Sequence, residues 1–141
     1  RLPPRSALIV TADHGMVELV DRVDFDTHPH LPDGVAALAG EPRARHVYTE
    51  DGATATVADT WRGVLGDRFL VRTRAEAIAA GWFGPRVSED AAARIGDLVV
   101  VATGDAGVVR SAVEPMQTLM IGHHGSLTPA EVLVPLRIHR T

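Results

Sequence analysis

The chain has 141 residues, 45% of them hydrophobic and 23% charged, which is the composition of an ordinary globular protein. Its formal net charge is −4 and its basic residues form no block, so we expect neither nucleic acid nor a membrane surface as a partner. The absence of cysteine excludes disulfides, thiolate metal sites and cysteine nucleophiles. No apolar run approaches the ~20 residues of a membrane span and no signal peptide is visible, so we expect a cytoplasmic location.

The first predicted element is a buried strand over residues 6–10, a short apolar run bounded by turn-forming residues. Asp13, His14 and Gly15 follow it, and a second extended segment is predicted over residues 17–20. Open α/β sheets place their sites at the carboxyl ends of strands, and zinc accepts a carboxylate oxygen together with an imidazole nitrogen. Asp13 and His14 are therefore predicted metal ligands, although an isolated Asp-His pair is also typical of a polar turn.

An acidic loop that contains histidine is predicted next, over residues 21–33, and its composition indicates a boundary between lobes. Within it, His28, His30 and Asp33 have nearly the spacing of a known zinc motif. The Asp comes one residue late and no His follows it, so we favour an exposed loop over a metal site here.

Short strands and helices alternate from residue 34 to residue 113, which predicts a small α+β lobe of two or three hairpins packed by one or two helices. Helices are predicted over residues 54–65, ending at Gly66, and over 73–80, with Thr73 and Glu76 as a capping box. The glycines of residues 104–107 predict a hairpin turn that returns the strand at 98–102 into Val108 and Val109. The other strands are predicted over residues 34–39, 44–49 and 69–71.

The large side chains of this lobe are expected to be structural. Its aromatic residues are assigned to the core or to a lobe interface: Trp61, Trp82 and Phe83. Its arginines are expected to be solvated rather than to bind an anionic substrate: Arg43, Arg45 and Arg86.

A second segment with metal-ligand chemistry places His123 and His124 between two glycines, where the backbone can approach a ligand closely. Adjacent residues of an extended segment point to opposite sides, so only one of the two can face the site of His14. The other is expected to face solvent or to support the site. Downstream, Thr128, Pro129 and Glu131 predict a helix start with a capping box, and Pro135 makes the last strand start late or lie at an edge.

These two segments resemble the alkaline phosphatase superfamily, in its nucleotide pyrophosphatase/phosphodiesterase-like branch. The matching stretches are Thr-Ala-Asp-His-Gly-Met at 11–16 and Gly-His-His-Gly-Ser at 122–126, in the family's order and with a variable lobe between them. The resemblance implies an α/β fold, the C-terminal part of an alkaline-phosphatase-like sheet with an inserted small α+β cap lobe. Residues 1–33 and 114–141 would belong to the hydrolase core, and residues 34–113 would form the cap lobe.

The resemblance also implies a two-metal hydrolase of phosphate esters or anhydrides, with zinc as the usual metal. Asp13 and His14 would bind one ion and His124 the other. The family's nucleophile and its remaining ligands precede the Asp-His-Gly motif, so the chain corresponds to a C-terminal portion and is predicted to be inactive alone. Its implied partners are a small phosphate-bearing substrate and either the missing N-terminal part of the enzyme or a second copy.

Two other hypotheses remain open at this point. The chain can be a non-catalytic module that binds a partner or a small molecule, with Asp13 and His124 as vestigial ligands; its fold would then be indifferent to chelators. It can also be an independent metallohydrolase that uses His28, His30 and Asp33, which the imperfect spacing disfavours.

Overall fold

A computed structural model describes residues 3–141 as a mixed α/β arrangement of short strands and helices. The strands are β1 (Ala7–Val10), β2 (Val17–Glu18), β3 (Asp21–Asp24), β4 (Val35–Glu41), β5 (Ala44–Thr49), β6 (Phe69–Thr73), β7 (Leu98–Ala102), β8 (Ala106–Val109), β9 (Gly122–His123) and β10 (Arg137–Arg140). The helices are α1 (Thr54–Leu65), α2 (Arg74–Ala79), α3 (Glu89–Ala93), α4 (Pro115–Leu119) and α5 (Pro129–Val132), and a 3₁₀ turn covers Gly66–Arg68.

A four-stranded antiparallel sheet forms the centre of the molecule, with the strand order β4-β5-β7-β6. Strand β7 is buried along its whole length, as its continuous apolar sequence predicts. The largest side chain of the core, Trp61 on α1, is fully buried, and its indole N–H donates to the Leu31 carbonyl at 3.1 Å. The structural assignment of Trp61 is therefore confirmed.

Helices α1 and α2 lie where local sequence signals place them. Helix α1 ends at Gly66, whose φ of 56° is a conformation that side chains disfavour. The predicted capping box of α2 is present, because the Thr73 hydroxyl accepts from the Glu76 N–H and the Glu76 carboxylate accepts from the Thr73 N–H. No helix within residues 3–141 is long and apolar enough to cross a membrane.

The predicted hairpin at residues 104–107 is wrong. Strand β8 pairs in parallel with β3, whereas β7 already has β5 on one edge and β6 on the other. Because both edges of β7 are occupied, the chain turns away to a new partner. Residues 21–24 are consequently a strand rather than a loop, and the nearby Phe25 and Leu31 are buried in the same core as Trp61.

The prediction that the first strand is buried is also wrong. Strand β1 forms a two-stranded antiparallel ribbon with β10, in which Ile9 lies opposite Ile138. These two side chains are 60% and 53% exposed. They are exposed because no other strand extends the ribbon and no helix covers it in the part of the chain that the structure describes. Strand β10 begins after Pro135, as the proline predicts.

Candidate functional site

The structure brings the three predicted metal ligands together. His14 follows β1, His124 follows β9, and the antiparallel pairing of β2 with β9 places Val17 opposite His123. The rings of His14 and His124 are stacked, with centroids 3.6 Å apart and planes inclined by 16°. The Asp13 carboxylate lies 3.7 Å from Nε2 of His14. Residues about 110 positions apart in the sequence are therefore adjacent in the structure.

Two glycines allow this close approach. The N–H of Gly15 donates to the carbonyl of Glu131 at 2.8 Å. A Cβ atom on Gly15 would lie 1.9 Å from the Ala130 carbonyl oxygen, and one on Gly122 would lie 2.4 Å from the Met16 sulfur. At Gly15 the obstacle is a backbone oxygen, so a larger residue there would push the two segments apart, whereas at Gly122 the flexible Met16 side chain would have to move.

The hydrogen bonds of Asp13 and His14 leave one free ligand atom on each side chain. His14 Nδ1 donates to the Gly15 carbonyl at 2.7 Å; because a carbonyl only accepts, Nδ1 carries a proton, and in the neutral ring Nε2 is the nitrogen with the lone pair. Asp13 Oδ1 accepts from the His14 backbone N–H at 3.0 Å. The separation of 3.7 Å between Oδ2 and Nε2 is close to the about 3.3 Å between two ligands of a tetrahedral zinc.

The electrostatics of the site favour an ionised Asp13. Hydrogen bonds from its own backbone N–H and from that of His14 lower the pKa of the Asp13 carboxyl below its ordinary value. A carboxylate must be deprotonated to bind a metal. Asp13 is thus in the required form well below neutral pH.

Within residues 3–141, no three His, Cys, Asp or Glu side chains are arranged to hold one metal ion. The stacking of His14 on His124 gives a physical reason. Imidazole lone pairs lie in the plane of the ring, and two nearly parallel planes 3.6 Å apart do not converge on one ion. The assignment of Asp13, His14 and His124 as metal ligands stays a prediction.

The alternation of the two adjacent histidines is as predicted, but His123 does not face solvent. His123 is only 4% exposed, and its Nε2 donates to the Met120 carbonyl at 3.1 Å. Burial lowers the pKa of His123, so the ring is held neutral. The His123 side chain therefore lies on the buried side of its segment, whereas His124 contacts His14.

The side chains of His28, His30 and Asp33 make contacts within their own loop. Nδ1 of His28 accepts from the backbone N–H groups of His30 and Leu31 at 3.2 and 3.3 Å, so its lone pair is occupied. Nδ1 of His30 lies 3.7 Å from the Asp33 carboxylate. These contacts favour a loop that is stabilised by its own hydrogen bonds over a metal site.

The expectation that Arg43 and Arg45 are solvated is wrong, since both are fully buried; Arg86 is exposed as expected. Arg43 donates to both carboxylate oxygens of Glu131 at 2.7 and 2.8 Å, and Arg45 donates to Glu114 at 2.7 Å. The sequence gives no signal for these pairs, because their members lie 88 and 69 residues apart.

The capping box predicted at Thr128 is wrong as well. The Thr128 hydroxyl donates to the Glu131 carboxylate and does not accept from the backbone of α5. Burial alone would raise the pKa of Glu131, but hydrogen bonds from Arg43, Thr128 and the Ser126 N–H outweigh burial and lower it. Glu131 is therefore an ionised residue in the interior, beside the His124 segment.

A pocket of 130 Å³ lies between the central sheet and the residues that follow His124. Its walls are mainly apolar and come from both parts: Ala44, His46, Trp82, Phe83, Val99, Val101, Gly125 and Leu127. Trp82 and Phe83 therefore line a surface between segments, which is the interface role expected for them.

Comparison with known proteins agrees with the motifs. A family model described as type I phosphodiesterase / nucleotide pyrophosphatase matches residues 1–127. The fold is similar to murine ectonucleotide pyrophosphatase/phosphodiesterase 5, with a TM-score of 0.71 at 18% identity over 94% of this chain, and to its human counterpart, with 0.69 at 15% over 94%. It is also similar to phosphonoacetate hydrolase from Sinorhizobium meliloti 1021 in complex with phosphonoformate, with 0.65 at 23% over 94%. A search of curated proteins gave no match.

The chain spans about a third of the length of these solved structures, 33% of both phosphodiesterase 5 chains and 36% of the phosphonoacetate hydrolase. At such identities the likeness shows the fold, a partial alkaline-phosphatase-like α/β arrangement. The family model covers nearly all of the sequence, including both histidine segments. The chain therefore belongs to the type I phosphodiesterase / nucleotide pyrophosphatase family, in the branch of the alkaline phosphatase superfamily that its two motifs resemble.

Proposed function

We propose that this chain supplies metal ligands and a substrate-facing lobe to a two-metal hydrolase of phosphate esters or anhydrides. The observation that carries the proposal is the placement of Asp13, His14 and His124 side by side, where the segment before β2 meets the end of β9. The family acts on phosphodiesters and pyrophosphates and is generally metal-dependent, which fits this set of oxygen and nitrogen donors.

The geometry supports a division of the ligands between two ions. Asp13 Oδ2 and His14 Nε2 would bind one ion and His124 the other. The distance of 3.6 Å between the two rings is similar to the about 3.5–4 Å between the ions of two-metal sites. Zinc, when bound there, supplies charge stabilisation to phosphoryl oxygens.

Three ligands are too few for two catalytic zinc ions, each of which usually takes three from the protein. We propose that the remaining ligands and the nucleophile come from the part of the family's catalytic core that this chain does not match. The chain alone is therefore expected to show no turnover of a chromogenic phosphodiester. Metal-dependent turnover by this chain that disappears in Asp13→Ala would contradict this expectation.

The ribbon of β1 and β10 supports a larger core. Leu8 and Ile9 are 47% and 60% exposed, and successive strand residues point to opposite faces, so apolar side chains lie open on both faces of the ribbon. Strands that are apolar on both faces are typical of the interior of a covered sheet. We propose that the rest of the family's catalytic core covers this ribbon.

We propose that residues 34–113 act as a cap lobe. The support is the 130 Å³ apolar pocket, which the central sheet and the residues after His124 form together. The wall of this pocket includes Gly125, which directly follows His124, and we propose that the pocket accepts a small apolar group of a phosphate-bearing substrate.

A zinc titration by calorimetry tests the proposal on the chain itself. We expect zinc binding in the wild type and weaker or fewer sites in His124→Ala. The matched control is His28→Ala/His30→Ala, which also removes imidazole groups but leaves the site intact, so binding should not change.

Two results would contradict the proposal. Zinc binding that is lost in His28→Ala/His30→Ala would favour the independent site in that loop. An absence of zinc binding, together with a stability that a chelator does not change, would favour the non-catalytic binding module.

A further inference from the structure

The Arg43–Glu131 ion pair lies in the interior, next to the segments that carry the predicted metal ligands. Arg43 and Glu131 are 0% and 2% exposed, and the two guanidinium N–H donors meet the two carboxylate oxygens in a bidentate arrangement. A third donor of Arg43 reaches the Ala106 carbonyl at 2.7 Å. Both ends of the pair are thus fixed by several hydrogen bonds, and the planar guanidinium allows little freedom of orientation.

Glu131 contacts both segments that carry the predicted ligands. Its carboxylate accepts from the Ser126 N–H at 3.0 Å, two residues after His124. Its backbone carbonyl accepts from the Gly15 N–H at 2.8 Å, one residue after His14. One residue therefore links the segment of Asp13 and His14 to the segment of His124.

Arg43 links the same residue to the central sheet. Arg43 lies in the turn between β4 and β5, and its carbonyl accepts from the Ala102 N–H at the end of β7 at 2.9 Å. The Ser126 hydroxyl donates to the carbonyl of Ala102. The central sheet, Arg43, Glu131 and Ser126 therefore form a continuous network that ends next to His124.

Stability alone is a weak explanation for such a pair. Removing two charges from water is costly, and apolar residues of similar size often replace a buried ion pair with no loss of stability. A bidentate pair instead provides fixed distances and directions, which metal ligands need.

We propose that Arg43 and Glu131 are positioning residues, which hold Asp13, His14 and His124 at the spacing that two metal ions require. The inference rests on the proposed function for the role of the three ligands. It goes beyond that function by assigning the source of their geometry to a pair that is not among the three candidate ligands.

The test compares two double variants. Arg43→Met/Glu131→Leu removes the positioning pair and leaves no unpaired buried charge. Arg45→Met/Glu114→Leu is the matched control, because it removes a second buried arginine's pair with a glutamate near the same sheet, and this pair has no hydrogen bond to either histidine segment. The indole N–H resonance of Trp61 reports whether the core of each variant is intact.

Two readouts follow the positions of the ligands. The first is the nuclear Overhauser effect between the rings of His14 and His124, which are in contact in the wild type. The second is zinc affinity. In Arg43→Met/Glu131→Leu we expect the ring contact to be lost and zinc affinity to fall by roughly 10–100-fold, the usual effect of removing support behind a ligand. The control variant should retain both.

The results separate this inference from the proposed function. A ring contact and a zinc affinity that persist in Arg43→Met/Glu131→Leu would overturn the positioning role and leave the hydrolase proposal intact. If neither the wild type nor any variant binds zinc, the hydrolase proposal fails. The nuclear Overhauser effect between the rings of His14 and His124 then still decides whether the Arg43–Glu131 pair positions the histidines.

A measurement on the wild type covers the case in which the variant does not fold. The N–H groups of Gly15 and Ser126 both donate to Glu131, so their hydrogen exchange should be as slow as that of β7. Rapid exchange at these two amides, with slow exchange in β7, would show that the pair does not hold the segments and would overturn the inference.

Discussion

The substitution Gly15→Ala tests how closely the two histidine segments must approach. The new Cβ would lie 1.9 Å from the Ala130 carbonyl oxygen, whereas ordinary contact begins at 3.4 Å, so one segment must move by about 1.5 Å. The obstacle is a backbone oxygen, which cannot rotate away as a side chain can. A displacement of this size also breaks the hydrogen bond from Gly15 to Glu131, which is 2.8 Å long.

The expected loss of stability has two parts. Overpacking of a filled site costs about 1–3 kcal/mol, and loss of a hydrogen bond costs about 1 kcal/mol. The sum of about 2–4 kcal/mol would lower the urea midpoint by roughly 1–2 M, because a protein of this size has a denaturant slope of about 2 kcal/mol/M. The ring contact between His14 and His124 should weaken in the same variant.

The matched control is Gly104→Ala, since a Cβ there has no atom within 4 Å. Its urea midpoint and its ring contact should match the wild type. If Gly15→Ala proves as stable as Gly104→Ala and keeps the contact between His14 and His124, the close approach at Gly15 does not determine the geometry of the site.

Two further predictions concern the lobe that carries the central sheet. Gly63 lies within α1, and an added Cβ would have no atom within 4 Å. Gly63→Ala should therefore raise the free energy of unfolding by about 0.5–1 kcal/mol in urea denaturation. A loss of stability would contradict the helical conformation of this residue. Burial lowers the pKa of His46 from its ordinary value of 6.5. As the pH falls through 6.5, His46 therefore takes up a proton in the unfolded chain before it does so in the folded chain. Stability should therefore fall as pH decreases below 6.5, by less than about 1.4 kcal/mol per pH unit for this group. His46→Gln keeps an acceptor for the Gly96 N–H and should reduce this dependence between pH 7.5 and 5.5, whereas an unchanged dependence would assign it to other groups such as the buried His123.

The elements that the sequence predicts well are those whose signals are local. Helix α1 ends at Gly66 because a glycine can adopt the positive φ found there. Helix α2 begins at Thr73 because Thr73 and Glu76 satisfy each other's backbone N–H groups within one turn. In both cases the cause lies within four residues of the effect, so the sequence alone contains it.

The predictions that fail depend on partners far away in the chain. The sequence of β8 is equally suited to a hairpin with β7, but β5 and β6 occupy both edges of β7 and β8 pairs with β3 instead. The exposure of β1 could not be predicted either, because an apolar run predicts a buried strand but does not show which element buries it. The partial coverage of the solved structures agrees with that exposure.

The candidate ligands can be named from the sequence because their residue types carry metal-binding chemistry, but the source of their spacing cannot. The pairing of β2 with β9 comprises only two residue pairs, which is too short to fix two loops firmly. The distance between His14 and His124 must therefore depend on other contacts, and those contacts lie at Gly15, at Gly122 and at Glu131. Two of these residues have no functional group, and the third was expected to cap a helix. A substitution at any of them should alter the site more than one at Ala12, which is exposed although it is a direct neighbour of Asp13.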